Sequence, residues 1–334
     1  MAVVAGAGRA GATMTIEYWA ALGRAWGRMK TLLFRPFEPV RWIVIAFCAW
    51  VASLLDGAGG HPGGGGGWSH GRNGDIDPDG ALEGLLAVWA GILAAWEWIL
   101  GNWGATLVVF LGIPLLVAVI LALVWVTSRF QLIYLDNLVR GRAEVVEPWR
   151  RLGPLGDSLF LFRVGFGLAA MVAGAVLVGL LVALGILSFG DSTRGLSIAG
   201  LLVAGMAFVV YLVGLAYTWL FLKAFVVPIM YRHGLSAMAA WRAFLPWVGA
   251  DPTSFLLYGL FVLLLFVAAG LAIGAIGLAT CCIAFVLLAI PYVGTLLLLP
   301  LLVTYRYLSL EFLAQFGPGF DVFAPAAIAS APPR

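Results

Sequence analysis

The residues most open to chemistry are three alternating aspartates in Asp75-Ile76-Asp77-Pro78-Asp79-Gly80. Alternate carboxylates can converge on one hard cation, and a glycine in the sixth position permits the sharp turn of a calcium loop. Only the first half of the motif is present. The twelfth position should be glutamate; it is Leu86, and Glu83 stands at the ninth. The same string serves equally as an acidic cap before a helix. Asp75, Asp77 and Asp79 are therefore a candidate metal site with a plain alternative. His61 and His70 lie in the same loop, but sparse imidazoles in a flexible stretch make a poor transition-metal site.

Little other chemistry is visible. There is no Ser-His-Asp set, Walker loop, H-E-x-x-H or haem motif, and the 3 histidines leave little for acid–base work. The expectation is a non-enzymatic chain with no cofactor. Cys48, Cys281 and Cys282 sit inside apolar runs and read as small apolar helix residues rather than a disulfide framework. Asp136 and Arg140 form an i, i+4 pair. Arg163, Lys223, Arg306 and Glu311 lie near the ends of apolar runs, where snorkelling towards headgroups explains charge in a membrane protein. No acidic relay runs through the apolar segments, which argues against a proton-coupled pump.

What positions these groups is a membrane. The chain has 334 residues, 63% hydrophobic and only 10% charged, with a mean hydropathy of +1.04. About 20 apolar residues cross ~30 Å of hydrocarbon. The net charge of +3 is too small for a nucleic-acid footprint. Of the 19 Lys and Arg residues, all but Arg72 and Arg194 fall on one side in a six-span topology. By the positive-inside rule that side is the cytoplasm. Both termini then face it.

The expected organisation is as follows. Residues 1–14 are a disordered leader, with Met14 an alternative start. Residues 15–38 form an amphipathic helix with Trp19, Leu22, Trp26, Met29 and Leu33 on one side and Arg24, Arg28 and Lys30 on the other. It lies either on anionic lipid or against the protein's own spans. Residues 39–310 hold six spans: Val40–Leu55, Ala105 to about Leu138, Ser158–Phe189, Leu196–Met230, Thr253 to about Leu278, and Cys281–Leu310. Pro114 should kink the second span, and Pro291 and Pro300 fall in the sixth. A Gly-rich outer loop spans 56–80. Residues 81–103 read as an outer interfacial or re-entrant helix, because counting them as a span would turn the Arg-rich stretch 129–163 outwards. Residues 311–334 form a cytoplasmic tail. The fold class is all-α, integral to the membrane.

The six spans group as three hairpins in parallel, each led in by a basic Trp-bearing segment. Asp157 and Asp251 suit helix N-caps, and Gly141, Gly234 and Gly317 suit helix stops. Arg24, Arg28, Lys30, Arg41, Arg150, Arg151 and Arg242 are the candidate lipid-binding residues. Membrane lipids, and a protein partner or second copy of the chain, are the expected partners; nucleic acid is not.

Two motifs carry a resemblance. Arg28-Met29-Lys30…Leu33-Phe34-Arg35-Pro36-Phe37…Arg41-Trp42 near the start and Ile290-Pro291-Tyr292-Val293-Gly294-Thr295…Tyr305-Arg306-Tyr307…Ala314-Gln315-Phe316-Gly317-Pro318 near the end resemble an uncharacterised family of bacterial multispan membrane proteins. Val227-Pro228-Ile229-Met230-Tyr231-Arg232-His233-Gly234 is more distantly similar to the membrane region of some glycerophosphodiester phosphodiesterases. The resemblance implies a fold and a cellular address but no activity, since the soluble barrel of those enzymes has no counterpart here. The function expected is a membrane scaffold acting through lipid and protein contacts. The rivals are a small-solute transporter or channel, and an anchor subunit of an enzyme complex.

Overall fold

The structure is a computed structural model that describes residues 16–55, 90–91, 93–187 and 194–324. The Gly-rich loop 56–80, with Asp75, Asp77, Asp79, His61 and His70, lies outside the described residues, as do the leader 1–14 and most of 81–92.

The described residues are helical, with no strand among them. In chain order they form α1 (Tyr18–Phe34) and α2 (Pro39–Ser53), then α3 (93–101) and α4 (Trp103–Arg140). Next come α5 (Val146–Arg151), α6 (Gly153–Leu187) and α7 (Arg194–Phe221). A five-residue π-turn (Leu222–Val226) joins α7 to α8 (Val227–His233). Then follow α9 (Ala237–Ala250), α10 (Pro252–Ala279), α11 (Ile283–Ala289), α12 (Val293–Leu297) and α13 (Leu299–Ala314).

Four helices are long and apolar enough to cross a membrane: Trp103–Arg140, Gly153–Gly185, Ile198–His233 and Pro252–Ala279. Their apolar side chains are largely exposed, for example Phe110 at 77% and Leu202 at 71%. Water does not tolerate such continuous apolar surface, so the chain is a membrane protein. Two of the expected spans differ. The first, α2, has 15 residues and is about 22 Å long, short of the hydrocarbon thickness. The sixth is broken into α11, α12 and α13. Pro291 has no N–H to continue a helix and pushes Ile290 into an extended conformation (φ −72°, ψ 118°), and Tyr292 turns to φ +69°. Cys281 and Cys282 are likewise not helical. Both have positive φ, 49° and 67°, and form the exposed turn that ends α10.

The helix punctuation follows simple chemistry. Asp251 caps α10 by accepting from the Ser254 N–H at 3.3 Å, and Ser236 caps α9. Asp157 is not a cap, because α6 begins four residues earlier at Gly153. Gly141, Gly234 and Gly317 all have positive φ, and Gly234 closes α8 in the left-handed region. α4 continues through Pro114.

The chain divides into two compact units. The first comprises residues 1–64, 124–163 and 217–334, the second 65–123 and 164–216. The first has an aromatic core, with Phe225 of the π-turn, Phe244 of α9, Phe255 and Tyr258 of α10, and Phe312 of α13 almost fully buried. Ring centroids lie 5.3 Å apart for Phe225–Phe244 and 4.4 Å for Tyr258–Phe312. α1 packs along α13 through Ala21, Ala25, Met29, Leu32 and Leu33. Small alanines let the two helices approach closely. Met29 and Leu33, expected on the apolar face, are buried with the alanines, whereas Trp19 and Trp26, expected beside them, stay exposed at 70% and 45%, so α1 presents its tryptophans outwards. In the second unit α6 and α7 meet where the Tyr211 hydroxyl donates to the Ala170 carbonyl beside Gly174.

Candidate functional site

The first unit holds three carboxylates, each gripped by cations from neighbouring helices. Glu311 on α13, with 6% of its side chain exposed, accepts Arg24 Nε on Oε2 at 2.8 Å and Arg28 Nε on Oε1. Both arginines come from α1, one turn apart, so a single helix face aims both at one acid. Asp136 on α4 is 2% exposed. Its Oδ1 accepts Arg151 Nη2 of α5 and the Tyr231 hydroxyl of α8, both at 2.6 Å, and lies 3.0 Å from Arg140 Nε. Arg151 Nε also reaches Glu147 at 3.3 Å.

The third carboxylate, Asp157 on α6, takes Arg129 Nη2 of α4 on both oxygens, at 2.8 and 2.9 Å, and Trp125 Nε1 at 2.8 Å. The Arg129 guanidinium lies 4.3 and 4.9 Å from the ring centroids of Trp125 and Trp149, which meet each other edge to face. Gly156 makes this approach feasible: a Cβ there would sit 2.6 Å from Arg129 Cγ and 3.2 Å from its Cα. Asp157 is half exposed, so after Asp136 and Glu311 the third buried charge is Arg163 on α6 at 5% exposure, which donates to the Thr127 and Ser128 hydroxyls at 3.2 and 3.3 Å.

Two of these clamps border a cleft of about 570 Å³. Arg24, Gly27, Arg28 and Thr31 of α1 form one wall. The end of α4 with Arg140, α13 with Tyr307 and Glu311, and Phe323 beyond α13 complete it. The Arg28 guanidinium lies 3.7 Å over the Phe323 ring, and the Tyr307 hydroxyl donates to the Leu138 carbonyl at 2.8 Å. A second depression, lined only by residues 144–147, 150 and 151, draws on α5 and the loop before it and has no facing wall. Among the described residues no group of three His, Cys, Asp or Glu side chains converges as a metal site.

A family of unknown function, DUF7544, matches residues 18–329. The chain belongs to that family. No curated protein and no solved structure matches the chain. The family region starts at the first residue of α1 and runs past Phe323, so it contains all three clamps and the whole cleft.

Within this family region the seven sequence-chosen cations separate into two sets. Arg24, Arg28 and Arg151 serve the clamps, and Arg41 is held locally by Glu38 at 3.1 Å and the Leu32 carbonyl at 3.4 Å. Lys30, Arg150 and Arg242 are exposed; Lys30 sits 5.5 Å over the Trp26 ring. The expected Asp136–Arg140 pair forms, and it belongs to a larger cluster. Snorkelling does not describe Glu311 or Arg163, both of which are buried. Arg129, Asp157 and the acceptor role of Glu311 were missed. One signal was available for Glu311: it is the only acidic residue between Asp251 and Asp321, and an acid alone in an apolar run calls for a cation.

Proposed function

We propose that this chain is a non-enzymatic membrane scaffold that contacts anionic lipid through an exposed basic rim. The observation that carries the reading is the division of its cations. Arg24, Arg28, Arg129, Arg140 and Arg151 are tied to carboxylates of the fold, while Lys30, Arg150 and Arg242 point charge outwards. Exposed Trp19, Trp26 and Phe34 accompany Lys30 on α1, and aromatic rings beside a cation are the composition of a headgroup boundary. In this reading the basic side is cytoplasmic, the membrane is a bacterial inner membrane, and α2 and the broken α11–α13 segment add two crossings to the four long helices. The lopsided charge map supports that topology. The bacterial address and the remote likeness to phosphodiesterase membrane regions rest on the short motifs alone.

The test is lipid selectivity. Each basic residue near an anionic surface contributes about 1 kcal/mol before screening. Replacing Lys30, Arg150 and Arg242 together by Gln removes about 3 kcal/mol, of which screening leaves about half, and should lower the enrichment of phosphatidylglycerol over phosphatidylcholine in co-purified lipid by about tenfold. These three take no part in the clamps, so the fold should survive. Unchanged enrichment would sink the reading.

A second reading, a small-solute transporter or channel, has its own observation. The helix through 198–233 carries a π-turn next to Pro228, and the last apolar segment is broken at Pro291. Such interruptions line cavities in transporters. Solute flux into proteoliposomes, abolished by Pro291→Ala, would favour it over the scaffold.

A further inference from the structure

We infer that the cleft between α1, the end of α4 and α13 is a binding site for one phosphate or phosphodiester group, held by Arg24, Arg28 and Arg140. This deepens the lipid-contact reading above and rests on it. That reading concerns a diffuse rim, whereas the cleft is one defined site.

The argument is the way the three guanidiniums are anchored. Among the described residues the hydrogen bonds of Arg24 and Arg28 run through Nε to Glu311, and that of Arg140 runs through Nε to the Tyr231 hydroxyl at 3.4 Å, next to Asp136. Each carboxylate holds its arginine by the inner nitrogen and leaves the terminal nitrogens for the cleft. A planar fork held in place from behind matches the oxygens of a phosphate, and fixing it beforehand lowers the entropy cost of binding. The charge count agrees. Arg24, Arg28 and Arg140 face Glu311 in the lining, with Asp136 behind Arg140. Asp136 also holds Arg151, which pairs with Glu147, so four cations against three anions leave one positive charge, which is the charge a phosphodiester neutralises. The three arginine side chains are 38–47% exposed, so a ligand can reach them. Leu32, Leu138 and Val139 add an apolar flank beside the cations, the pairing that a lipid headgroup with its glycerol would meet.

The experiment uses the full chain in mild detergent. Native mass spectrometry follows retention of phosphatidylglycerol against phosphatidylcholine, and thermal melting follows inorganic phosphate against chloride at equal ionic strength. Two variants probe the site. Arg140→Gln removes one fork while Asp136 keeps Arg151 and Tyr231. Gly27→Phe puts a ring into the cleft while leaving every charged residue in the chain, and its Cβ meets nothing within 4 Å, so the backbone of α1 need not move. One phosphatidylglycerol per chain, retained by the wild type and weakened about tenfold in both variants, supports the site with a lipid source. A melting shift with inorganic phosphate, lost in both variants, with no lipid retained, supports it with a soluble source. No retained lipid and no shift, or retention and shift unchanged by Gly27→Phe, overturns it. The Lys30, Arg150 and Arg242 triple variant separates the two ideas: loss of bulk anionic enrichment there, with the single bound ligand intact, bears on the rim alone.

Discussion

The two compact units of this chain use the same residue types for opposite purposes. In the first, a core of phenylalanines and leucines is buried while Leu260, Leu263, Leu264 and Leu271 of its long apolar helix α10 stay exposed, and buried charges are matched by partners of opposite sign or hydroxyls. In the second, Ala204 is the one buried side chain among the described residues, and Phe110, Leu111, Leu202 and Val203 are exposed. Single helices show both characters. α4 is exposed from Trp103 to Leu123 apart from a few partly covered positions, and buried from Thr127 to Leu138. Lipid is as apolar as leucine, so an apolar side chain facing it gains little from covering. Where side chains meet water and headgroups, covering them pays, and a core forms. The contrast teaches that burial here follows the surrounding solvent, not the hydrophobicity of the residue.

The sharpest way to break this contrast is to truncate the same residue type in each unit. Phe225→Ala opens a cavity in the aromatic core and should cost about 3–5 kcal/mol. Phe110→Ala, at 77% exposure, should stay within about 0.5 kcal/mol. Melting of both variants in one detergent checks this. Equal losses would mean that the exposed half of α4 packs against something in the assembled protein.

Next in size is Glu311→Ala, which leaves Arg24 and Arg28 facing each other without their acid. A fully buried broken pair costs about 3–5 kcal/mol. Both arginines are nearly half exposed, and water screens them, so about 2–3 kcal/mol is expected. Glu311→Gln should recover part of that, because an amide still accepts one arginine. If Glu311→Ala melts like the wild type, α1 is held by its alanine stripe alone.

How much of this was legible in the sequence follows the same division. The long spans 105–138, 158–189, 196–230 and 253–278 could be read because uninterrupted apolar length is local information. The glycine stops at 141, 234 and 317 could be read because chain reversal needs a left-handed residue. The clamps could not. Asp157 sits where an N-cap is expected, and only the approach of Arg129 over Gly156 reveals that α6 has already begun. Arg24 and Arg28 read as headgroup ligands because no acid stands three or four residues from either on the helix; their acid lies 287 and 283 residues away on Glu311. The break of the last span was half visible. Pro291 was noted as lying within it, but without its tertiary setting a proline announces a kink as readily as a stop.

Gly156→Ala tests the close approach directly. The added methyl would meet Arg129 Cγ at 2.6 Å and its backbone Cα at 3.2 Å, and backbone cannot swing aside as a side-chain end can. Overpacking of that kind costs about 1–3 kcal/mol. The matched change in the second unit, Gly205→Ala, meets nothing within 4 Å and should be neutral or stabilising by up to about 1 kcal/mol from helix propensity. Opposite signs in thermal melting would confirm that the backbone at Gly156 is packed tightly enough to feel one methyl and that at Gly205 is not.

The smallest effect expected is at a helix stop. Gly234 ends α8 at φ +64° with open space around its Cα, so Gly234→Ala clashes with nothing and its cost is purely conformational. A left-handed alanine is about 1–2 kcal/mol worse than a right-handed one, and the stiffer unfolded chain returns part of that. A net loss of about 1 kcal/mol is expected, with Gly234→Asn losing less because asparagine tolerates this region. The pair separates backbone from packing: a steric cause would make the larger asparagine worse, whereas a conformational cause makes it better. Because Gly234 follows directly on α8, which carries Tyr231 to Asp136, a loss well beyond about 1 kcal/mol in the alanine variant would mean that the turn also positions this clamp. The boundary between fold and site would then lie within α8.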